Sequence, residues 1–154
     1  MLPQRAYNGA MWAQRILGIV MLAMGAGKLS DVNGYAEALT AFRVIPVHAL
    51  HVVAWIWLLA ELGAGLLLVL GDRAARPGAL LALVINLAYA ALTTQAYARH
   101  LTVDNCTCFG VHLRQRLSWF VLAQDAYMVA FSAYVYYVAA RARRRSRAGS
   151  PARS

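Results

Sequence analysis

Acidic side chains are scarce in this sequence. Its 154 residues carry six Asp and Glu against fifteen Lys and Arg, a formal charge of +9 at pH 7. Charged residues of both signs make up only 14% of the chain, where a soluble domain carries roughly 25%. With 61% hydrophobic residues, that deficit excludes an ordinary water-soluble globule and points to lipid as the solvent. Nor does a cleavable leader fit the N-terminus. The apolar run after Arg5 extends past the ~7–15 residues of a signal core, and no small-x-small site ends it. It reads instead as the approach to a first membrane span. Internal repeats and a second domain are lacking too. Cysteine occurs twice, at Cys106 and Cys108. One intervening residue closes almost no loop, so as a staple the pair would add little stability.

The excess of positive charge invites a nucleic-acid reading. Arg141, Arg143, Arg144, Arg145, Arg147 and Arg153, however, fall in one C-terminal tail directly after an apolar run. That arrangement fits a cytoplasmic anchor on anionic lipid headgroups rather than a reader of bases. No nucleic-acid partner is expected.

A transmembrane helix needs about 20 mostly apolar residues, and four runs qualify: 10–29, 50–70, 78–98 and 118–140. Ser30-Asp31-Val32-Asn33-Gly34 ends the first, with 35–42 forming a short interfacial helix before Pro46. Gly71-Asp72-Arg73 and Arg76-Pro77-Gly78 bracket a tight turn between the second and third. The expected fold is all-α: an integral membrane four-helix bundle with N- and C-termini cytoplasmic. Residues 1–147 form its single domain, and 148–154 a disordered basic tail. The basic tail sets the orientation, which puts loop 99–117 outside the cytoplasm, on the oxidising face of a bacterial inner membrane.

That loop holds Asn105-Cys106-Thr107-Cys108-Phe109-Gly110. Cysteines two residues apart reach disulfide distance only if the backbone bends, and the small ring is strained. Strained pairs suit electron transfer. The pair lies shortly before the N-terminus of the fourth span, which favours a thiolate, as do His100, His112, Arg114 and Arg116 if charged. Gly110 after Phe109 marks a turn. The rival chemistry is a soft metal held by His100, Cys106, Cys108 and His112, although the spacing matches no familiar zinc signature. The cysteines can also be inert small apolar residues. Asn105-Cys106-Thr107 matches a glycosylation sequon, a pattern of low specificity.

Charged groups in hydrocarbon cost at least ~2.5–3.5 kcal/mol, so each calls for a reason. Glu61 lies near the middle of the second span and Asp125 about two turns into the fourth. Both are candidates for a proton path or for contacts to a quinone headgroup; the alternative is interhelical hydrogen bonding, with Asn86 as a partner for Glu61. Gln95 and Gln124 fit the bonding role. Arg15 and Lys28, near opposite ends of the first span, are expected to snorkel to the interfaces. Trp12, Trp55, Trp57, Trp119, Tyr134, Tyr136 and Tyr137 fall near span ends, as belt residues do. Gly25-Ala26-Gly27 and Gly63-Ala64-Gly65 permit close helix approach.

Gly27-Lys28-Leu29, Pro46, Glu61-Leu62, Trp119, Asp125 and above all Cys106-x-Cys108-Phe109-Gly110 together resemble the MauE family, within the DoxX-like four-span membrane proteins. The resemblance covers roughly residues 14–136. The family commonly carries Gly between its cysteines, where this sequence has Thr107. The resemblance implies thiol redox work beside a thioredoxin-like partner, in maturing a disulfide-rich dehydrogenase subunit. The expected function is a thiol-disulfide relay from such a partner, through Cys106 and Cys108, to a membrane acceptor such as a quinone. Supporting residues are His100, His112, Phe109, Gly110, Glu61, Asp125, Asn86 and Lys28, with no resident metal. The competing readings are a non-catalytic membrane partner docking a redox protein, and a metal or metabolite carrier using Glu61.

Overall fold

The computed structural model describes residues 4–71, 74–106 and 115–148, with the side chains of 4–8, 10 and 142–148 outside that description. Four long helices, α1 (Gln4–Leu29), α3 (Leu50–Val69), α4 (Ala75–Ala98) and α5 (Trp119–Ala148), form the bundle, and the short α2 (Val32–Leu39) follows α1. No strand occurs among the described residues. Each expected span falls on a long helix. Ala148, the first residue of the expected tail, is the last of α5; 149–154 lie outside the described residues.

The helices are apolar on their outward faces as well as in the core, unlike those of a soluble bundle. Outward faces carry Ile16 and Ile19 on α1, Val52, Ile56, Leu59 and Leu66 on α3, and Leu80, Val84 and Leu87 on α4. Inward faces carry Leu17, Met21, Leu58 and Leu68, small residues, and the buried polar groups Lys28, Glu61, Asn86, Thr93, Asp125 and Ser132. Lipid is as apolar as leucine, so burial of aliphatic surface drives little association there; close packing and interhelical hydrogen bonds do the work. Val47–Val69 and Ala75–Ala98 are each long and apolar enough to cross a membrane, and α1 with the segment after it passes as a bent pair. α5 has the length, 30 residues, but Gln124, Asp125, Ser132 and its tyrosines dilute its apolar content.

Glycine sets the approach of α1 to α3. A Cβ on Gly65 would come 2.7 Å from Leu22 Cγ and 2.9 Å from the Gly18 carbonyl oxygen; one on Gly25 would meet Leu62 at 2.7 Å. Gly63, expected to share this role, faces open space.

The end of α1 shapes the site. Ser30 Oγ donates to Gly27 O (2.7 Å), closing the last turn, and Asp31 caps α2 by accepting from Gly34 N at 2.8 Å. Asn33 and Gly34 are therefore helical rather than loop. The chain turns by 95° between Met11–Leu29 and Val32–Phe42. Folded back this way, α2 buries Tyr35, Ala36 and Leu39 in a second apolar cluster with Phe42, Leu50, Ala54, Ala96 and Val103.

Candidate functional site: a buried polar core beneath the cysteine loop

Lys28 is completely buried, which corrects the expectation that it snorkels. The physical reason is the bend: α1 ends level with the middle of α3, where Lys28 meets Glu61, and the chain folds back over it. Lys28 Nζ donates to Glu61 Oε1 (2.6 Å), Glu61 Oε2 (2.7 Å) and Tyr89 Oη (2.6 Å). Tyr89 Oη donates in turn to Glu61 Oε1 at 2.6 Å. All three ammonium hydrogens are thus used. Tyr35 of α2 covers the ammonium with its ring at 5.4 Å, the Tyr89 ring lying at 4.7 Å. Trp57, expected at a membrane belt, instead packs edge-on against Tyr89 at 5.1 Å. Trp12, Trp55, Trp119, Tyr134 and Tyr137 are exposed, as belt residues would be.

Asn86 does not reach Glu61. Its Nδ2 donates to Ser132 Oγ of α5 (2.9 Å) and to Ala82 O (3.0 Å). Two turns further along α4, Thr93 Oγ1 donates to Asp125 Oδ2 at 2.5 Å. Asn86, Tyr89 and Thr93 follow i, i+3, i+7 spacing and share one face of α4, a polar stripe about 10 Å long at 1.5 Å per residue. It touches α1 and α3 through Tyr89, and α5 at both ends. Tyr89, Thr93 and Ser132 were missed from the sequence. The signal available for the first two was this helical spacing of hydrogen-bonding residues within an apolar run.

The glutamines act as connectors. Gln95 Nε2 donates to Phe42 O at 3.1 Å, and Gln124 Oε1 accepts from Gln115 Nε2 at 3.2 Å.

The described ends of the cysteine loop, 99–106 and 115–117, join α4 to α5. Leu117 N donates to Val103 O (2.9 Å) and Cys106 N to Gln115 O (2.8 Å), which draws the two ends of the loop together. Cys106 is only 1% exposed and joins the main apolar core with Leu17, Met21, Tyr89 and Val121. Cys108, Phe109, Gly110 and His112 lie outside the described residues. His100 is exposed and has left-handed backbone (φ 53°) just after α4. His100 N donates to Tyr97 O, and Leu101 N to Ala96 O, so this residue closes the helix in a position glycine usually takes. Of the four side chains proposed for a metal, His100 and Cys106 are described; the first is exposed at a helix end and the second is buried.

A model of the family described as Methylamine utilisation protein MauE matches residues 8–138. A protein of Paracoccus denitrificans named "Methylamine utilization protein MauE" is 30% identical over 123 residues, covering 79% of this chain and 66% of the relative. The chain therefore spans about two thirds of that relative's length. No solved structure matches. The family match encloses the bent α1–α2 pair, the Lys28–Glu61–Tyr89 cluster and the cysteine loop, and the chain is a membrane protein of the MauE family.

Proposed function

We propose that this chain is a membrane thiol-disulfide redox protein, passing electrons from an extracytoplasmic thioredoxin-like partner to a quinone through Cys106 and Cys108. The orientation proposed has both termini cytoplasmic, as the arginine tail favours. The observation that supports the reading is the seating of Cys106: it is buried in the main apolar core with Tyr89 and Val121, with its backbone N–H bonded to Gln115. A partner protein cannot approach a thiol so enclosed, so the partner's thiolate attacks Cys108, the mixed disulfide forms as the Cys106 thiolate leaves, and the partner's second thiol then releases Cys108. In the first half-cycle the partner's dithiol loses two electrons and two protons to the Cys106–Cys108 disulfide. The pair, now a dithiol, passes two electrons and two protons to the quinone, leaving a disulfide and a quinol. Maturation of a disulfide-rich extracytoplasmic protein is the step such a relay would serve.

Burial of Cys106 also favours one rival, a non-catalytic membrane partner in which that cysteine merely fills space. Trapping separates the two. Cys106→Ser should accumulate a mixed disulfide with a thioredoxin-like protein, and Cys108→Ser should not. Fully functional single and double serine variants, with no trapped species, would leave the docking role standing.

A further inference from the structure

We propose that the outward face of α5 is the contact through which two copies of this chain pair within the membrane. The inference is independent of the thiol-redox reading. The large side chains that α3 and α4 turn outward are mostly Val, Ile and Leu, a surface that lipid matches. On α5 every exposed large hydrophobic among the described residues is aromatic: Trp119, Phe120, Tyr127, Tyr134 and Tyr137.

These rings follow an order. Phe120, Ala123, Tyr127, Ala130, Tyr134 and Tyr137 are all exposed, at alternating steps of three and four residues, with exposed Arg141 next in step. Among residues 119–141 only Trp119 and Ala126 are exposed off this stripe. Phe120, Tyr127 and Tyr134 therefore take one position of a seven-residue repeat, and Ala123 and Ala130 the other. Large and small residues alternating on this repeat form knobs and holes for a neighbouring helix. Tyr127 is 66% exposed and lies eight residues, about 12 Å, into α5. Its ring stacks on Phe131, with centroids 6.0 Å apart and planes at 13°, which fixes it on the outward face. No hydrogen bond among the described residues reaches its hydroxyl, and a hydroxyl held in hydrocarbon without a partner is costly.

A second copy supplies what this face needs. Copies of one chain cross the membrane in the same direction, so a two-fold axis along the membrane normal sets their α5 helices parallel. Each residue of the stripe then lies opposite its own counterpart. Two Tyr127 hydroxyls meet at one depth, where each can donate and accept. Ala123 and Ala130 lie against their counterparts and let the backbones close. Arg141 stacks on Tyr137 of its own helix at 4.5 Å, at headgroup level, where lipid phosphates screen it from its counterpart. At ~200 Å² for each aromatic side chain, the stripe offers roughly 550 Å² per copy, or roughly 1,100 Å² for the pair. That clears the ~1,000 Å² expected of a specific interface.

The test reconstitutes the full chain, with fluorophores at its N-terminus, in phosphatidylcholine–phosphatidylglycerol vesicles. Energy transfer between copies should follow a monomer–dimer curve as lipid dilutes the protein. With both native cysteines changed to serine, Ala123→Cys and Ala130→Cys should cross-link into dimers under copper phenanthroline. Leu59→Cys on α3 and Leu87→Cys on α4 should not. Tyr127→Phe should weaken pairing on the order of tenfold, about threefold for each of the two hydroxyls. Ala130→Leu, which blocks the close approach, should weaken it at least as much. Both side chains face away from their own bundle, so thermal unfolding at monomer dilution should match the parent and separate lost pairing from lost fold. Energy transfer no greater than random mixing would mean that lipid alone covers the face, and overturns the proposal. So does equal cross-linking at all four substituted positions, which marks chance collision. A dimer unaffected by Tyr127→Phe and Ala130→Leu pairs through another face, and a cross-link from Ala130→Cys in native membranes to a second protein alone gives this face to that protein. Either result overturns it too.

Discussion

Glu61→Gln changes almost no volume but leaves the Lys28 ammonium without a counter-charge inside the bundle. Lys28 Nζ now sits 2.6 and 2.7 Å from the two carboxylate oxygens, and both side chains are fully buried. Removing one partner of a buried pair costs about 3–5 kcal/mol, because the surviving charge keeps its desolvation penalty. For a chain of this length, each kcal/mol lowers Tm by roughly 2–4 °C, so a fall of roughly 6–20 °C is expected. Thermal unfolding in detergent or nanodiscs, followed by circular dichroism, measures it. The double variant Lys28→Met with Glu61→Leu removes both charges and should recover much of the loss, since no unpaired ion remains. A Glu61→Gln protein melting within about 2 °C of the parent, or a double variant as unstable as the sum of its singles, would refute the placement of an ion pair here.

Gly65→Ala should destabilise by about 1–3 kcal/mol in the same melts, because its Cβ would press on Leu22 and the Gly18 carbonyl. Gly63→Ala, which meets nothing within 4 Å, should be neutral or stabilising by up to about 1 kcal/mol through helix propensity. For topology, a cysteine-free chain carrying Asp104→Cys should be labelled by a membrane-impermeant maleimide in spheroplasts, and one carrying Arg76→Cys should be labelled only after lysis. The reverse pattern would invert the proposed orientation.

Much of the helical layout was legible because lipid imposes long apolar runs, and Gly, Pro and Asp mark their ends. The depth of those ends was not. Ser30-Asp31 signals a stop, but only the fold of α2 against α3 shows that the stop lies level with the middle of α3. For the same reason Lys28 looks like an interfacial lysine: its partner Glu61 is 33 residues away, and nothing local to either residue names the other. Asn86 was visible as a polar intruder, while Ser132, a small residue among alanines, gave no comparable sign. Tyr89 passed as one more aromatic in an apolar helix. The burial of Cys106 was not legible either. Flanked by Asp104, Asn105 and Thr107 it reads as exposed, and its burial comes from pairing with Gln115, nine residues on.

The central claim is that the cysteine pair carries electrons, and stoichiometry tests it most directly. Reduced protein in nanodiscs, given a short-chain quinone without oxygen, should lose two maleimide-reactive thiols for each quinol formed, read from mass and quinone absorbance together. Cys106→Ser should form no quinol. Retention of both thiols in the parent protein while quinone remains oxidised would contradict the account.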